Sequence, residues 1–157
     1  MKRLSIIAFL FLLAFCKTPQ PGSSRTAAIP GHGAISVDVV PNPVVARPAG
    51  GNMYDFPLDV VVHETAGRAV TVSRVTVTVS GPAGIRLGDE TWSASQIGSA
   101  GFSTNLPGNG ELRYHFVPRK SVPDDRLFGS VRAELRVDAY DETSTPTSAT
   151  TTVTVTR

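Results

Sequence analysis

The stretch AVTVSRVTVTVS, residues 69–80, decides the fold that this sequence predicts. Its valines alternate with polar residues, and this period of two is typical of a β-strand with one buried and one solvated face. The alternation slips once, because the valines before Ser73 lie on one parity and those after Arg74 lie on the other. A slip of one residue turns every later side chain to the wrong face unless the backbone absorbs it. We therefore predict a β-bulge, or a crossing from one sheet to another, at Ser73-Arg74.

Flanking segments alternate in the same way and predict further strands. Turn residues separate these segments, which are 34–40, 56–64, 112–116, 129–140 and 149–155. A compact turn at 66–68 leads us to expect an antiparallel hairpin between the strands on its two sides. Pro41-Asn42-Pro43 predicts an edge position or a kink, since proline cannot donate to a sheet ladder. The glycine- and serine-rich segment 93–110 is expected to be a long irregular loop, and no amphipathic helix is expected after residue 16.

About seven alternating strands predict an all-β fold in which two antiparallel sheets pack together. In length and strand count, residues 34–157 resemble the immunoglobulin-like and fibronectin type III β-sandwiches of bacterial surface proteins. The resemblance is architectural: the only cysteine is Cys16, so the disulfide pair of true immunoglobulin domains is absent, and Trp92 does not lie on the strand where their tryptophan sits. It implies an immunoglobulin-like β-sandwich and carries over no functional residue.

The first 16 residues have the organisation of a signal peptide. Lys2 and Arg3 are followed by an apolar run over residues 4–15, which is shorter than the roughly 20 residues of a membrane-spanning helix. The run ends in LAFC, residues 13–16, which resembles the lipobox of bacterial lipoproteins, although Phe15 stands where that family prefers a small residue. The resemblance implies a lipid on Cys16. The alternative is ordinary signal cleavage after Cys16, which would leave a soluble periplasmic or secreted protein.

The next segment, residues 17–33, contains prolines, glycines and serines and little apolar material. This composition predicts a disordered tether that would hold a domain on the order of 20 to 25 Å from the membrane. His32 lies between two glycines, and we expect it to be inert and solvent-exposed. The sequence therefore predicts export to the cell envelope, with the lipid on Cys16 as the membrane contact.

Charge and motifs exclude several classes of function. The chain has 15 basic and 13 acidic residues, and the two classes become equal once Lys2 and Arg3 of the leader are set aside. The arginines are scattered rather than clustered, so nucleic-acid binding is not expected. The sequence has no G-x-S-x-G, Walker-type or H-E-x-x-H motif. We therefore expect neither an enzyme nor a cofactor.

Metal binding has only weak candidates. His63 and His115 fall on the polar parity of their strands, and they would share a zinc or copper ion only if those strands were neighbours. Asp138 and Asp141 are weak candidates for calcium, which takes about six to eight oxygen ligands. Further acidic pairs occur at Asp89-Glu90, Asp124-Asp125 and Asp141-Glu142. Aspartates in turns commonly bond to their own backbone instead.

Three aromatic residues are candidates for ligand contact: Trp92, Phe102 and Tyr140. Tyr140 shares the outward parity of its strand and would offer an amphipathic surface beside Asp138. Trp92 and Phe102 either contact a ligand from the 93–110 loop or fold back as a plug over one open end of the sandwich. The last strand carries a row of outward threonines, which suits a solvated face and also an edge that a partner strand would join.

Together these features predict a non-enzymatic, lipid-anchored module of the cell envelope with a binding, adhesive or structural role. Its partner would be an envelope protein or a polysaccharide, and a fixed partner would make it an accessory subunit of a larger complex. The alternative is a small metal-binding protein or hydrolase of the periplasm or cell surface that uses His63, His115 and nearby carboxylates.

Overall fold

A computed structural model of the protein describes residues 23–25 and 27–157. Helix α1 spans Ala94–Ser99, and single 3₁₀ turns lie at Pro82–Gly84 and Asp125–Leu127. The strands are β1 (Ser23–Arg25), β2 (Ile35–Val40), β3 (Val44–Val45), β4 (Arg47–Pro48), β5 (Met53–Asp55), β6 (Leu58–Glu64), β7 (Val70–Ser80), β8 (Arg86–Ser93), β9 (Asn105–Leu106), β10 (Glu111–Phe116), β11 (Arg119–Ser121), β12 (Arg132–Asp141) and β13 (Pro146–Thr156). The fold is all-β, as predicted, but the described residues form thirteen strands instead of the seven expected, and several of them have only two or three residues.

The strands form one large sheet and two small ones. In the large sheet the order is β1-β13-β12-β7-β8, with β9 paired to β7 and β3 paired in parallel to β13. The small sheets have the orders β10-β6-β2 and β11-β5-β4. All pairs other than β3 with β13 are antiparallel among the described residues.

One apolar core lies between the large sheet and the β10-β6-β2 sheet. The large sheet contributes alternate residues of its long strands, whereas the small sheet contributes alternate residues of β2, β6 and β10. The fully buried members include Val37, Val60, Val62, Val72, Val75, Tyr114 and Val137. Burial of this kind stabilises by roughly 25 cal/mol for each Å² of apolar surface removed from water. The alternation predicted for these strands is therefore confirmed, although Val61, which lies on the outer parity of β6, is also buried.

The irregularity predicted at Ser73-Arg74 is confirmed as a β-bulge. Asp138 of β12 pairs with Arg74, and the next residue of β12 pairs with Val72, so Ser73 is the extra residue. Val72 and Val75 stand three residues apart, and the bulge places both in the core, where neither has any exposed surface. At the same point β7 exchanges its other neighbour, from β9 before the bulge to β8 after it.

The edge of β13 that faces away from β12 is covered over residues 149–156. β1 pairs with residues 149–151, and β3 pairs with residues 155–156. Between them the side chain of Asn42 donates to the carbonyl of Thr152 at 2.9 Å and accepts from the backbone N–H of Thr154 at 3.1 Å. The kink predicted at Pro41-Asn42-Pro43 thus separates β2, in a small sheet, from β3, in the large one. Strand addition over residues 149–156 would have to displace an existing neighbour.

The hairpin predicted across residues 66–68 is wrong. β6 belongs to a small sheet, where β10 and β2 occupy both of its edges, whereas β7 belongs to the large sheet. The segment between them therefore crosses from one layer to the other. Because strand pairing depends on which edges remain open in the assembled fold, a compact turn alone does not determine the partner.

Two segments expected to be irregular contain regular structure. In the 93–110 loop, Ser93 and Gln96 form a reciprocal capping box that begins α1, a short signal that the sequence itself contains. In the segment expected to be a tether, the described part is not free chain, because Ser23–Arg25 pair with β13. The predicted signal peptide and residues 17–22 lie outside the described residues. No helix among the described residues is both long and apolar enough to cross a bilayer.

Candidate functional site

His63 and His115 lie on neighbouring strands but do not come together. In the pairing of β6 with β10, His63 faces Glu111 and His115 faces Asp59. The two positions are four residues apart along β6, which corresponds to about 13 Å along the strand. Each imidazole lies near its own carboxylate, with His115 Nδ1 at 2.7 Å from Asp59 and His63 Nδ1 at 3.6 Å from Glu111. Among the described residues no group of three or more potential ligands could hold a metal ion.

The structure also separates Asp138 from Asp141. Asp138 points outward from β12, where Arg136 Nε lies at 2.8 Å and Arg74 Nε at 3.6 Å from its carboxylate oxygens. Asp141 ends the same strand and is buried. The two carboxylates point to opposite faces of the sheet and therefore do not form a common cation site.

The Asp141 carboxylate holds in place both the turn after β12 and the backbone just before β2. It accepts the hydroxyl and backbone N–H of Thr143, the backbone N–H of Thr145 and that of Gly33. The Thr143 hydroxyl, helped by the other donors, holds the pKa of Asp141 well below its usual range despite burial. His32 Nδ1 also lies 3.0 Å from Asp141 Oδ2. The expectation that His32 is fully solvent-exposed is therefore wrong, because its imidazole is half-buried against this carboxylate.

Glu64 plays a similar structural part and was missed in the sequence. Its buried carboxylate accepts backbone N–H groups from three separate segments; the donors are Ala34, Ala66, Gly67, Arg68 and Asn109, at 2.7 to 3.2 Å. Burial raises the pKa of Glu64, but the backbone N–H donors outweigh it, and the net pKa is lower than usual. The three donors in residues 66–68 belong to the local turn, but Ala34 and Asn109 lie 30 and 45 residues away along the chain, and no local pattern shows that they converge on this glutamate.

Trp92 and Phe102 belong to an aromatic cluster at the edge of the core. The Trp92 ring stacks on Phe116 with 5.4 Å between centroids, and the Phe102 ring meets Tyr114 edge-on at 5.5 Å. Both residues are partly buried against the core. Burial raises the pKa of Tyr114 to about 12, and its hydroxyl donates to the carbonyl of Ser103 at 3.0 Å. This packing favours the plug interpretation of Trp92 and Phe102 over a role in ligand contact.

Tyr140, in contrast, lies in the open. Its exposed fraction is 43%, and it lines a shallow groove of about 700 Å³ on the solvent face of the large sheet. We call this depression the bulge groove; its lining includes Ser73, Arg74, Arg136, Asp138, Tyr140 and Pro146. The register of β12 against its two neighbours explains this arrangement. Asp138 pairs with Arg74 of β7, and Tyr140 pairs with Pro146 of β13. The groove combines an aromatic ring, two guanidinium groups and one carboxylate.

Cys16, the predicted site of lipidation, lies outside the described residues. No protein-family model matches the chain, and no curated protein matches its sequence. One similar solved structure is the X-ray structure of Northeast Structural Genomics Consortium target SoR45. Its TM-score is 0.53 at 10% sequence identity, and the match covers 82% of this chain and 90% of that chain. At this identity the likeness shows a shared fold and nothing about ligand or activity.

Proposed function

We propose that this protein is a lipid-anchored module of a bacterial cell envelope that binds or adheres rather than catalyses. The observation that carries the proposal is the sequence LAFC at the end of the apolar leader, where the only cysteine of the chain stands. A thiol in that place is suited to acylation at the membrane surface. A lipid there would anchor the described domain from its N-terminal side.

We further assign the described domain to the immunoglobulin-like class of β-sandwich. Support comes from two facing layers with a shared core and from alternation of inward and outward residues along each long strand. The chain also passes from β2 in the small sheet to β3 in the large sheet at Pro41-Asn42-Pro43. This crossing joins the two sheets along one edge and supports the same assignment.

A binding role is supported by how the titratable groups are used. Glu64 and Asp141 are committed to backbone hydrogen bonds that hold loops in place, and the two strand histidines lie far apart. The alternative, a metal-binding protein or hydrolase built on His63 and His115, would need these groups to converge. The bulge groove instead presents an exposed aromatic ring among charged side chains, which is a surface suited to recognition.

The test is metabolic labelling of the full-length chain with an alkyne fatty acid in a bacterial host, followed by membrane fractionation. We expect the wild type to carry the label in the membrane fraction, and the matched variant Cys16→Ser to be unlabelled. An unlabelled wild type, or label that survives Cys16→Ser, would overturn the lipid anchor. A mature N-terminus at Lys17 would establish ordinary cleavage instead, and an unprocessed chain in the cytoplasm would overturn export itself.

A further inference from the structure

We propose that the bulge groove binds an acidic polysaccharide, a chain of pyranose sugars that carry carboxylate groups. Tyr140 would stack on a sugar ring, and Arg74 and Arg136 would contact its carboxylate. The proposal rests on the binding role proposed above and names the ligand class of that role. It draws on the position, the chemistry and the net charge of the groove.

The groove lies on a strand that is paired along both of its edges. β12 pairs with β13 on one side and with β7 on the other, so its backbone groups are used in the ladders. Arg136, Asp138 and Tyr140 are alternate residues of β12 and therefore project from one face, at intervals of roughly 7 Å. A row of side chains on a rigid strand suits an extended polymer, because the side chains already project in a line and need little rearrangement on binding.

The bulge itself completes the groove. Bulges re-aim side chains and are often found beside functional sites. Here the bulge at Ser73 keeps Val72 in the core while the next residue, Arg74, faces outward opposite Asp138. If Ser73 instead held a regular place in the ladder, strict alternation from Val72 would turn Arg74 toward the core. The device that keeps the valines buried is thus the one that brings a second guanidinium to Tyr140 and Asp138.

The chemistry of the groove fits sugars better than a peptide. A peptide that adds to a sheet needs a free edge with open backbone groups, whereas this face of β12 offers side chains only. Guanidinium groups donate hydrogen bonds and the Asp138 carboxylate accepts them, which matches the donors and acceptors of sugar hydroxyls. The flat ring of Tyr140 offers an apolar surface for the C–H face of a pyranose.

Charge then selects an acidic sugar. Arg74 and Arg136 share one carboxylate, that of Asp138, so the groove has an excess of one positive charge. The side chains of the two arginines are 58% and 55% exposed, and their forks are accessible to a ligand. Arginine pairs with carboxylates in a planar, two-bond geometry, which favours a carboxylate on the ligand.

The test measures binding of polygalacturonate to the full mature protein in detergent, with the methyl-esterified polymer as the matched uncharged ligand. Tyr140→Ala and Arg136→Gln remove the stacking ring and one guanidinium. Arg132→Gln is the control, because it removes the same charge from the same strand and face outside the groove. Circular dichroism and the thermal midpoint establish that each variant is folded.

We expect polygalacturonate to bind, with affinity reduced about ten-fold or more by Tyr140→Ala, by Arg136→Gln and by esterification, and changed less than about two-fold by Arg132→Gln. No binding of polygalacturonate, equal binding of the ester, or an equal loss from Arg132→Gln would overturn the proposal. The fatty-acid labelling of Cys16 separates the two proposals: a labelled chain that does not bind the polymer overturns the ligand only, whereas an unlabelled chain overturns the anchor.

Discussion

The hydroxyl of Ser73 donates a hydrogen bond to the backbone carbonyl of Asp138 at 3.0 Å. This bond ties the extra residue of the bulge to the neighbouring strand, at the position where the register of β7 against β12 shifts. On one side of the sheet the shift keeps Val72 and Val75 in the core. On the other side it turns Arg74 to the solvent beside Asp138. The burial of the valines and the candidate binding surface therefore depend on the same register shift.

Deletion of Ser73 should leave the chain folded, whereas deletion of Thr76 should be strongly destabilising. Without Ser73 the valines alternate strictly with polar residues from Val70 to Val79, so the bulge disappears and each valine keeps its face. Thr76 belongs to the regular ladder, and its loss turns the later valines to the wrong face, at a cost on the order of 1 kcal/mol or more for each. Urea unfolding followed by the fluorescence of Trp92, the only tryptophan, measures both variants. An unfolded Ser73 deletion, or equal stability of the two deletions, would contradict the assignment of Ser73 as the extra residue.

Replacement of Glu64 should be among the most destabilising single changes to a polar residue. Glu64→Ala leaves the backbone N–H groups of three segments without their acceptor, and we expect a loss of about 3 kcal/mol or more. Glu64→Gln keeps one acceptor oxygen and should lose less. Glu134→Gln, on the exposed face of β12, is the control and should change the free energy of unfolding by less than about 0.5 kcal/mol. Equal values for Glu64→Gln and Glu134→Gln would show that the buried carboxylate is dispensable.

The lowered pKa values of Glu64 and Asp141 predict loss of stability in acid. Both groups bind protons more weakly in the folded chain than in the unfolded one, so protonation favours unfolding. Their contribution is complete above the ordinary carboxyl pKa of about 4 to 4.5. It is lost progressively as the pH falls below about 5 and through the folded pKa values. Calorimetry at constant ionic strength should show this fall, and the double variant Glu64→Gln, Asp141→Asn should show a shallower one from a lower starting stability. An equally steep fall in the double variant would assign the acid sensitivity to other groups.

Local periodicity was enough to predict the faces of the strands and the bulge. Alternation depends only on the two-residue repeat of a strand, so the buried parity of β12 and the slip at Ser73-Arg74 can be recognised without knowledge of any partner. The start of α1 also had a local signal, since Ser93 and Gln96 stand at the spacing of a capping box.

Partner choice and the buried carboxylates could not be predicted in this way. β6 and β7 flank a compact turn yet join different sheets, because their edges are occupied by strands distant in sequence. Glu64 and Asp141 resemble ordinary turn residues until backbone N–H groups from remote segments converge on them. Such sites depend on the assembled fold, as does the position of Tyr140 beside Arg74.

Phe102→Ala should separate a plug from a ligand contact. Phe102 packs on Tyr114 and Phe116, with centroids 5.5 and 5.9 Å away, so its removal should leave a cavity and cost about 2 to 3 kcal/mol. The emission of Trp92, which stacks on Phe116, should shift as that neighbour relaxes. Tyr140→Ala is the comparison, because a residue in the open should cost less than about 1 kcal/mol. Similar costs for the two variants would mean that Phe102 is not part of the core.

Asn42→Ala should open the edge of β13. The Asn42 side chain accepts from both the backbone N–H and the hydroxyl of Thr154 and donates to the carbonyl of Thr152. Its loss should cost about 1 to 2 kcal/mol and leave two backbone groups available to another strand. We therefore expect self-association that grows with protein concentration in light scattering. Asn52→Ala, at an exposed loop position, is the control and should remain monodisperse. If Asn42→Ala matched this control in both stability and scattering, the edge would be protected by β1 and β3 alone.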